Sequence, residues 1–458
     1  MISYEGFDEI IKKVYTAGQD HLFSEWDLLK DDEKKNLLNE LASVDFNLKE
    51  KLFREKDMVS HREFEPAPYI RVPSTEEEHK EHRRAVKAGE SHIRKGGVAA
   101  FVVAGGQGSR LGYDGPKGKF PIGPVSGKSL FQIHAEKIVK YSRKYEVPIP
   151  FLIMTSEENH DETVSYFKQN GNFGIADNDV FIFPQNMIPS LDSSGNLLLK
   201  GKSNLFRNPD GHGGSLTALH TSGSLSKLAH RGVDLISYFQ VDNPLAKIVD
   251  PAFIGYHVLN RADISSKALK KAYPEEKIGV FVQFDNSRIG VIEYSDLSEE
   301  KTRSTDNSGQ LAYIAGSIAI HLFSRQFVEK LTAGTEISLP FHTAKKKLKI
   351  YERGTIKEVE GLKFEKFVFD ALLLTDNNII LETLREEEFA PVKNPSGVDS
   401  AQSSQQLMSD LYKSWLTGRG IAVSEETKMI EISPLLAVEP GDLDPSLNVP
   451  GKESVYLE

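Results

Sequence analysis

At 458 residues the chain is long for one hydrophobic core, so two or three domains are expected, and 39% hydrophobic with 27% charged residues is an ordinary balance for a soluble globular protein. The formal net charge, 56 − 66 = −10, argues against a protein that coats nucleic acid, though local lysines and arginines leave room for a nucleotide substrate. Cysteine is absent, which excludes disulfides, thiolate metal sites and a cysteine nucleophile.

Residues 1–95 read as a helical, highly charged N-terminal region. "MISYEGFDEIIKK" carries acidic residues where a signal peptide has basic ones, and no run reaches the length of a membrane span, so a cytoplasmic protein is expected. "DDEKKNLLNELASV" puts Leu37, Leu38 and Leu41 on one helical face, and "STEEEHKEHRRAVKAGESHIRKG" opens with a Ser/Thr–Glu capping signal and ends in glycines. His79 and His82, inside "EEEHKEHRR", read as a solvated helix face rather than metal ligands.

Residues 96–395 change character and read as a catalytic domain. "GVAAFVVAGGQG" is an apolar run of buried-strand length ending in glycines. Gly106, Gly108 and Gly112 miss the dinucleotide pattern by one residue, and the stretch Gly123–Ser129 misses the P-loop spacing by one, so the loop has to be read by its own chemistry. Further strands are predicted at 150–156, 180–185, 235–242, 278–284 and 289–295, with a helix over "SLFQIHAEKIVKYSRKY". Such alternation predicts an α/β fold, with ligands outside the carboxyl ends of the strands. Residues 298–310 read as an exposed loop, "NPSGVDSAQSSQQL" as a linker, and 396–458 as a small C-terminal module of short strands and turns.

The strand ends carry the chemistry. Gly105, Gly106 and Gly108 let backbone N–H groups approach an anion, Arg110 adds a guanidinium suited to phosphate, and Lys117 adds a point charge. Gln185 offers the donor and acceptor that a uracil edge needs, or is an ordinary loop glutamine. In "NPDGHGG", His212 is flanked by Gly211 and Gly213, which suits either a turn or a donor to phosphate or sugar. Asp242 and Asn243 end a strand, where a carboxylate can hold Mg²⁺ or cap a helix. Glu293 faces sugar hydroxyls or solvent, and Lys393 follows the acidic run 386–388.

Taken in order, "AGGQGSRLGYDGPKGKFPIG", "FPQNMIP", "VDNPLAKIVDPAFIGY", "IGVFVQF" with "GVIEYSDLS", "AGSIAIHLF", "GLKFEKFVFD" and "REEEFAPVKN" resemble the UDP-sugar pyrophosphorylases over about residues 98–440. "EKFVFD" and "EFAPVKN" resemble the UDP-N-acetylhexosamine branch in particular. The resemblance implies a Rossmann-like nucleotidyltransferase domain with a mixed, mostly parallel sheet, and transfer of a uridylyl group from UTP to a sugar 1-phosphate with Mg²⁺. It implies Gly105 and Gly106 at the uridine and phosphates, Gln185 and Gly211 at the uracil, and Arg110 and Lys117 at the triphosphate. It further implies Asp242 at the metal, Asn243 or Glu293 at the sugar, and Lys393 at the α- or sugar phosphate. Two positions depart from the branch: His212 stands in Gly-His-Gly where the branch has Gly-Asn-Gly, and Ser317 stands in Ala-Gly-Ser-Ile where it has Ala-Gly-Asn-Ile. N-acetylglucosamine 1-phosphate is the expected sugar, with glucose or galactose 1-phosphate as the alternative and a non-catalytic UDP-sugar binder as the reading from another class.

Overall fold

The apolar run before the glycines forms a strand whose first five residues are all buried, as the middle of a parallel sheet requires. It belongs to a mixed sheet of ten strands in the computed structural model, which describes residues 1–55, 63–333 and 339–458. In chain order these strands are β1 (Phe64–Pro66), β2 (Val98–Val103), β3 (Phe151–Thr155), β4 (Val180–Pro184) and β5 (Leu235–Gln240), followed by β6 (Ile264–Lys270), β7 (Val280–Phe284), β8 (Ile289–Ile292), β9 (Ala315–Ser324) and β10 (Asn378–Glu382). Their order is β1-β7-β9-β5-β2-β3-β4, with β8 paired to β7 and β6 joining β9 to β10. Strands β5, β2, β3 and β4 run parallel, while β9 is antiparallel to β5 and β6. The chain leaves β2 toward β3 and β4 on one side and returns to β5 on the other. The carboxyl ends of β2 and β5 therefore flank a topological switch point, where doubly wound sheets bind ligands.

The helix Leu130–Tyr145 begins at Ser129, whose Oγ accepts from Gln132 N at 3.1 Å, and buries Phe131, Ile138 and Tyr141. The helices Glu76–Arg94 and Pro251–Asn260 meet so closely that a Cβ on Gly89 would lie 1.8 Å from Pro251 O, and one on Gly255 would lie 1.7 Å from Ala85 O. Only glycine permits that crossing. His82, expected on a solvated face, is half-buried with its ring 6.2 Å from that of Tyr256.

The expected linker is half helix: Ser400 Oγ accepts from Ser403 N and caps Ala401–Gly418, which buries Met408, Leu411 and Leu416. The tail then adds Met429–Ile432 in parallel with Ser454–Leu457. Ile430, Ile432 and Leu457 join the same apolar cluster as Phe131 and Phe253, so the C-terminal residues are built onto the main core. Within 298–310, Ser298 caps a short helix, Glu299–Arg303, before the exposed turn.

The compact units do not follow chain order. The larger comprises 62–185, 216–338 and 369–458, and the smaller 1–61, 186–215 and 339–368. The boundaries read from sequence, at 95 and 395, run along the chain, whereas long-range packing selects three segments for each unit. In the smaller unit Leu37, Leu38 and Leu41 of the helix Asp31–Ala42 share a cluster with Ile188, Leu191, Leu205, Leu362 and Phe364. The last two belong to an antiparallel hairpin, His342–Glu352 with Thr355–Glu365, which covers Leu198 with Leu348 and Ile350. Among the described residues no helix is long and apolar enough to cross a membrane.

Candidate active site

After β2 the glycine loop folds back on itself. Gly108 N–H donates to Gly115 O (2.9 Å), Lys117 N–H donates to Gly106 O (3.0 Å), and Gln107 bridges Pro116. The left-handed turns fall on Gly112 (φ +70°) and Gly115 (φ +127°), not on the first three glycines. Gly105 is needed for close approach instead, because a Cβ there would lie 2.9 Å from Gln185 Oε1. Gln185, 8% exposed, follows β4 and is fixed by its N–H to Thr155 O at 2.8 Å. The loop thus joins the candidate uracil reader to the glycines, while Arg110 stands exposed on the turn Ser109–Leu111.

The same fold-back delivers Lys117 to the end of β5, where its Nζ lies 2.9 Å from Asp242 Oδ2. The Asp242 loop is held by the helix Leu130–Tyr145, through residues that sequence reasoning missed. His134 Nε2 lies 3.0 Å from Val241 O, and burial pushes this histidine down to about 3, so the neutral ring donates to the carbonyl. Lys137 Nζ donates to Pro244 O (2.5 Å) and Ala246 O (2.9 Å), and burial pushes it down to about 7. The available signal was a polar residue at each of two positions, three apart, on an otherwise apolar helix face.

Beside Asp242 opens a cleft of about 450 Å³ whose lining includes Asn243, Ser317, Arg385, Lys393 and Asp399. Lys393 is exposed to it, with Nζ 5.6 Å from the Phe389 ring centre. Its backbone N–H donates to Asp399 O at 2.6 Å. Burial raises the Asp399 carboxyl above the usual range, opposed by Lys393 and Arg385. Ser317 enters from β9, its N–H donating to Gly279 O at 2.8 Å. Glu293 is a neighbour, its Oε1 lying 3.6 Å from where a Cβ on Gly279 would sit. The amide of Asn243, for which the resemblance implies a sugar role, is engaged with protein partners. That residue is 4% exposed, and its amide donates to Glu388 O and accepts from Leu245 N and Ala390 N.

Gly211 and His212 belong to the smaller unit. Gly211 adopts φ +82°, and a Cβ on it would lie 2.4 Å from Lys366 O. The His212 ring stacks on Phe367 (centroids 5.4 Å apart, 23° between planes), and its Nδ1 accepts from Val368 N at 3.1 Å. Burial, aided by His342, pushes His212 down to about 4, so the ring is neutral with its proton on Nε2.

Among the described residues no three His, Asp or Glu side chains converge as a metal cage. Asp242 nevertheless fits Mg²⁺, which commonly takes one or two carboxylates and fills its remaining positions with phosphate oxygens and water. Its carboxylate already accepts a cation, the Lys117 ammonium.

Residues 48–439 match the family model described as UTP–glucose-1-phosphate uridylyltransferase. The chain is similar to UDP-N-acetylglucosamine diphosphorylase 2 of Arabidopsis thaliana, 33% identical over 449 residues that cover 93% of this chain and 89% of the relative. It is similar to UDP-N-acetylglucosamine pyrophosphorylase of Saccharomyces cerevisiae, 32% identical with 92% and 93% covered. Among solved structures it is similar to the uridine diphosphate N-acetylglucosamine pyrophosphorylase of Trypanosoma brucei in complex with inhibitor, with a TM-score of 0.86 at 27% identity over 100% and 99% of the two chains.

Proposed function

The chain belongs to the UTP–glucose-1-phosphate uridylyltransferase family, and from that membership we propose how its own residues perform uridylyl transfer. The protein is a nucleotidyltransferase that takes UTP and N-acetylglucosamine 1-phosphate to UDP-N-acetylglucosamine and pyrophosphate. A sugar-phosphate oxygen forms a bond to the α-phosphorus as the bond to the β-phosphate oxygen breaks. That oxygen is anionic near neutral pH, so the nucleophile needs no base. What the enzyme must supply is in-line placement and relief of repulsion between two polyanions.

The observation that carries this reading is the juxtaposition of Lys117 and Asp242 at the switch point, beside a cleft that also holds Lys393. Gly105 and Gly106 bring backbone N–H groups to the nucleotide, and Gln185 reads the uracil. Lys117 and Arg110 neutralise the triphosphate, and Lys393 neutralises the sugar phosphate. For Gly211 and His212 the resemblance implies contacts with the uracil and with phosphate or sugar. Asp242 holds Mg²⁺, which when bound offsets negative charge on the phosphate oxygens. Glu293 and Ser317 face the sugar.

Ser317 favours a second reading of the sugar. Its hydroxyl is shorter than the amide of the N-acetylhexosamine branch, which suits glucose or galactose 1-phosphate. A panel of sugar 1-phosphates with UTP, reporting kcat/KM from pyrophosphate release, decides between them. Highest turnover with N-acetylglucosamine 1-phosphate is expected, and a preference for glucose 1-phosphate would move the assignment. UDP-sugar binding with no turnover of any sugar would leave a binding protein.

A further inference from the structure

The residues Asp242 and Asn243 do more than end β5. Asn243 Nδ2 donates to Glu388 O at 2.8 Å, while Oδ1 accepts from Ala390 N at 3.1 Å and Leu245 N at 3.3 Å. Val392 N–H adds a bond of 2.9 Å to Asp242 O. Only one orientation of the amide satisfies all three partners of Asn243, because the reverse would set N–H against N–H and oxygen against oxygen. Glu388 to Val392 is therefore stitched along the Asp242–Asn243 backbone, and the next residue is Lys393.

Both ends of that stitched segment are fixed independently. Glu388 is fully buried, its two carboxylate oxygens 2.5 and 2.6 Å from Lys267 Nζ. At the other end Lys393 N–H and Asn394 N–H both donate to Asp399 O, at 2.6 and 3.0 Å. Between the anchors lies Phe389, 9% exposed, the ring against which the Lys393 ammonium rests. The amide of Asn243 grips the two residues that flank Phe389, Glu388 through its carbonyl and Ala390 through its N–H.

We infer that Asn243 is a positioning residue for Lys393, setting where that ammonium stands in the cleft, and is not a sugar ligand. This rests on the proposed role of Lys393 at the sugar phosphate. A buried amide with three bonds holds its geometry cheaply, and truncating it leaves a carbonyl and two N–H groups unpaired. The ammonium then loses its placement, which is where transition-state charge stabilisation is made.

The test is a double-mutant cycle on the full chain, reading kcat and the KM for sugar 1-phosphate by pyrophosphate release. Lys393→Ala alone is expected to lower kcat about 100-fold, the scale for removing one preorganised charge-stabilising group; parent-like kcat there rejects the Lys393 reading by itself. Asn243→Ala is expected to lower kcat at least about 10-fold with the sugar KM within about threefold, and the double variant to be within about threefold of Lys393→Ala. Losses that multiply in the double variant overturn the positioning role. So does an Asn243→Ala variant whose sugar KM rises while kcat stands. Asn243→Asp guards against a misfolded alanine variant: it fills the same volume and keeps the acceptor for both N–H groups, but sets a carboxylate oxygen against Glu388 O in place of the donor. A fall in kcat with the sugar KM little changed, again absorbed by Lys393→Ala, is expected; a raised sugar KM at parent kcat counts against the inference.

Discussion

Lys117 Nζ and Asp242 Oδ2 stand 2.9 Å apart, with side chains 16% and 12% exposed. Each pairs with the other where its proposed partner would bind: a metal ion would take the ammonium's place at the carboxylate, and a phosphate the carboxylate's place at the ammonium. Lys117→Ala and Asp242→Asn are each expected to lower kcat/KM by about 10²–10³-fold, the scale for removing a preorganised charge at a developing anion. Chelation of divalent ions should abolish turnover in the parent. Removing both residues at once is expected to restore thermal stability lost in Lys117→Ala without restoring any rate, because pairing and catalysis are separate uses of the same atoms. Full pyrophosphate release in either single variant removes that residue from the mechanism.

Gly105→Ala tests the nucleobase end. The added Cβ would meet Gln185 Oε1 at 2.9 Å and Ser156 N at 3.4 Å. Since the nearest atom ends a side chain, the amide swings away at little cost to stability. The loss of one hydrogen bond to the uracil edge, about 1.4 kcal/mol, corresponds to about a 10-fold rise in the UTP KM. Gln185→Ala should match it, with no further loss in the double variant. An unchanged UTP KM in Gly105→Ala places the uracil elsewhere.

Asp210 gives a pH dependence whose sign is fixed by burial. Desolvation pushes its carboxyl from 3.8 up to about 6, with Lys366 opposing, and its Oδ1 has no hydrogen-bond partner. A carboxyl harder to ionise in the folded state contributes stability below about pH 4 that is lost as pH rises through about 6. Asp210→Asn removes the charge, so its Tm should exceed that of the parent by about 2–4 °C at pH 8 and converge on it near pH 4. Parallel Tm profiles across that window would mean that the buried carboxyl is not the source.

The parts of this molecule that were legible in its sequence are those specified locally. Val98–Val103 followed by Gly105, Gly106, Arg110 and Lys117 declares strand, loop and cations within twenty residues, and Leu235–Gln240 declares the strand that carries Asp242. Strand β6 did not declare itself, because Ser265, Ser266 and Lys267 are buried polar residues that break the apolar run. The hairpin strand His342–Glu352 is masked by its lysines, of which Lys347 and Lys349 face Glu360 and Glu358 across the ladder. Asn243 looked like a sugar ligand since its partners Glu388 and Ala390 lie 145 and 147 residues away. The two-unit division is non-local in the same way, because helices from the first 61 residues find their core on segments from 186–215 and 339–368.

A buried ion cluster anchors Glu388, at the start of the segment that leads to Lys393. Lys267, 1% exposed, binds both oxygens of Glu388 and lies 2.7 Å from Asp250 Oδ2, while Asp250 Oδ1 caps the helix Pro251–Asn260 through Ala252 N at 2.9 Å. Burial alone would raise Asp250, but Lys267 and Lys247 outweigh it and hold the carboxyl down to about 2. Breaking a buried pair from one side costs about 3–5 kcal/mol, since the remaining charge is left without its counter-ion. Glu388→Gln leaves Lys267 with Asp250, whereas Lys267→Met leaves two buried carboxylates facing each other. Urea unfolding at pH 7 should therefore rank Lys267→Met as the less stable variant. The deficit should shrink at low pH: Asp250 contributes stability above about pH 4 that the parent loses as pH falls toward 2, while protonation relieves the two carboxylates left without a cation in the methionine variant. Equal deficits at pH 7 and pH 3 would show that packing around Lys267, not its charge, sets the stability of this cluster.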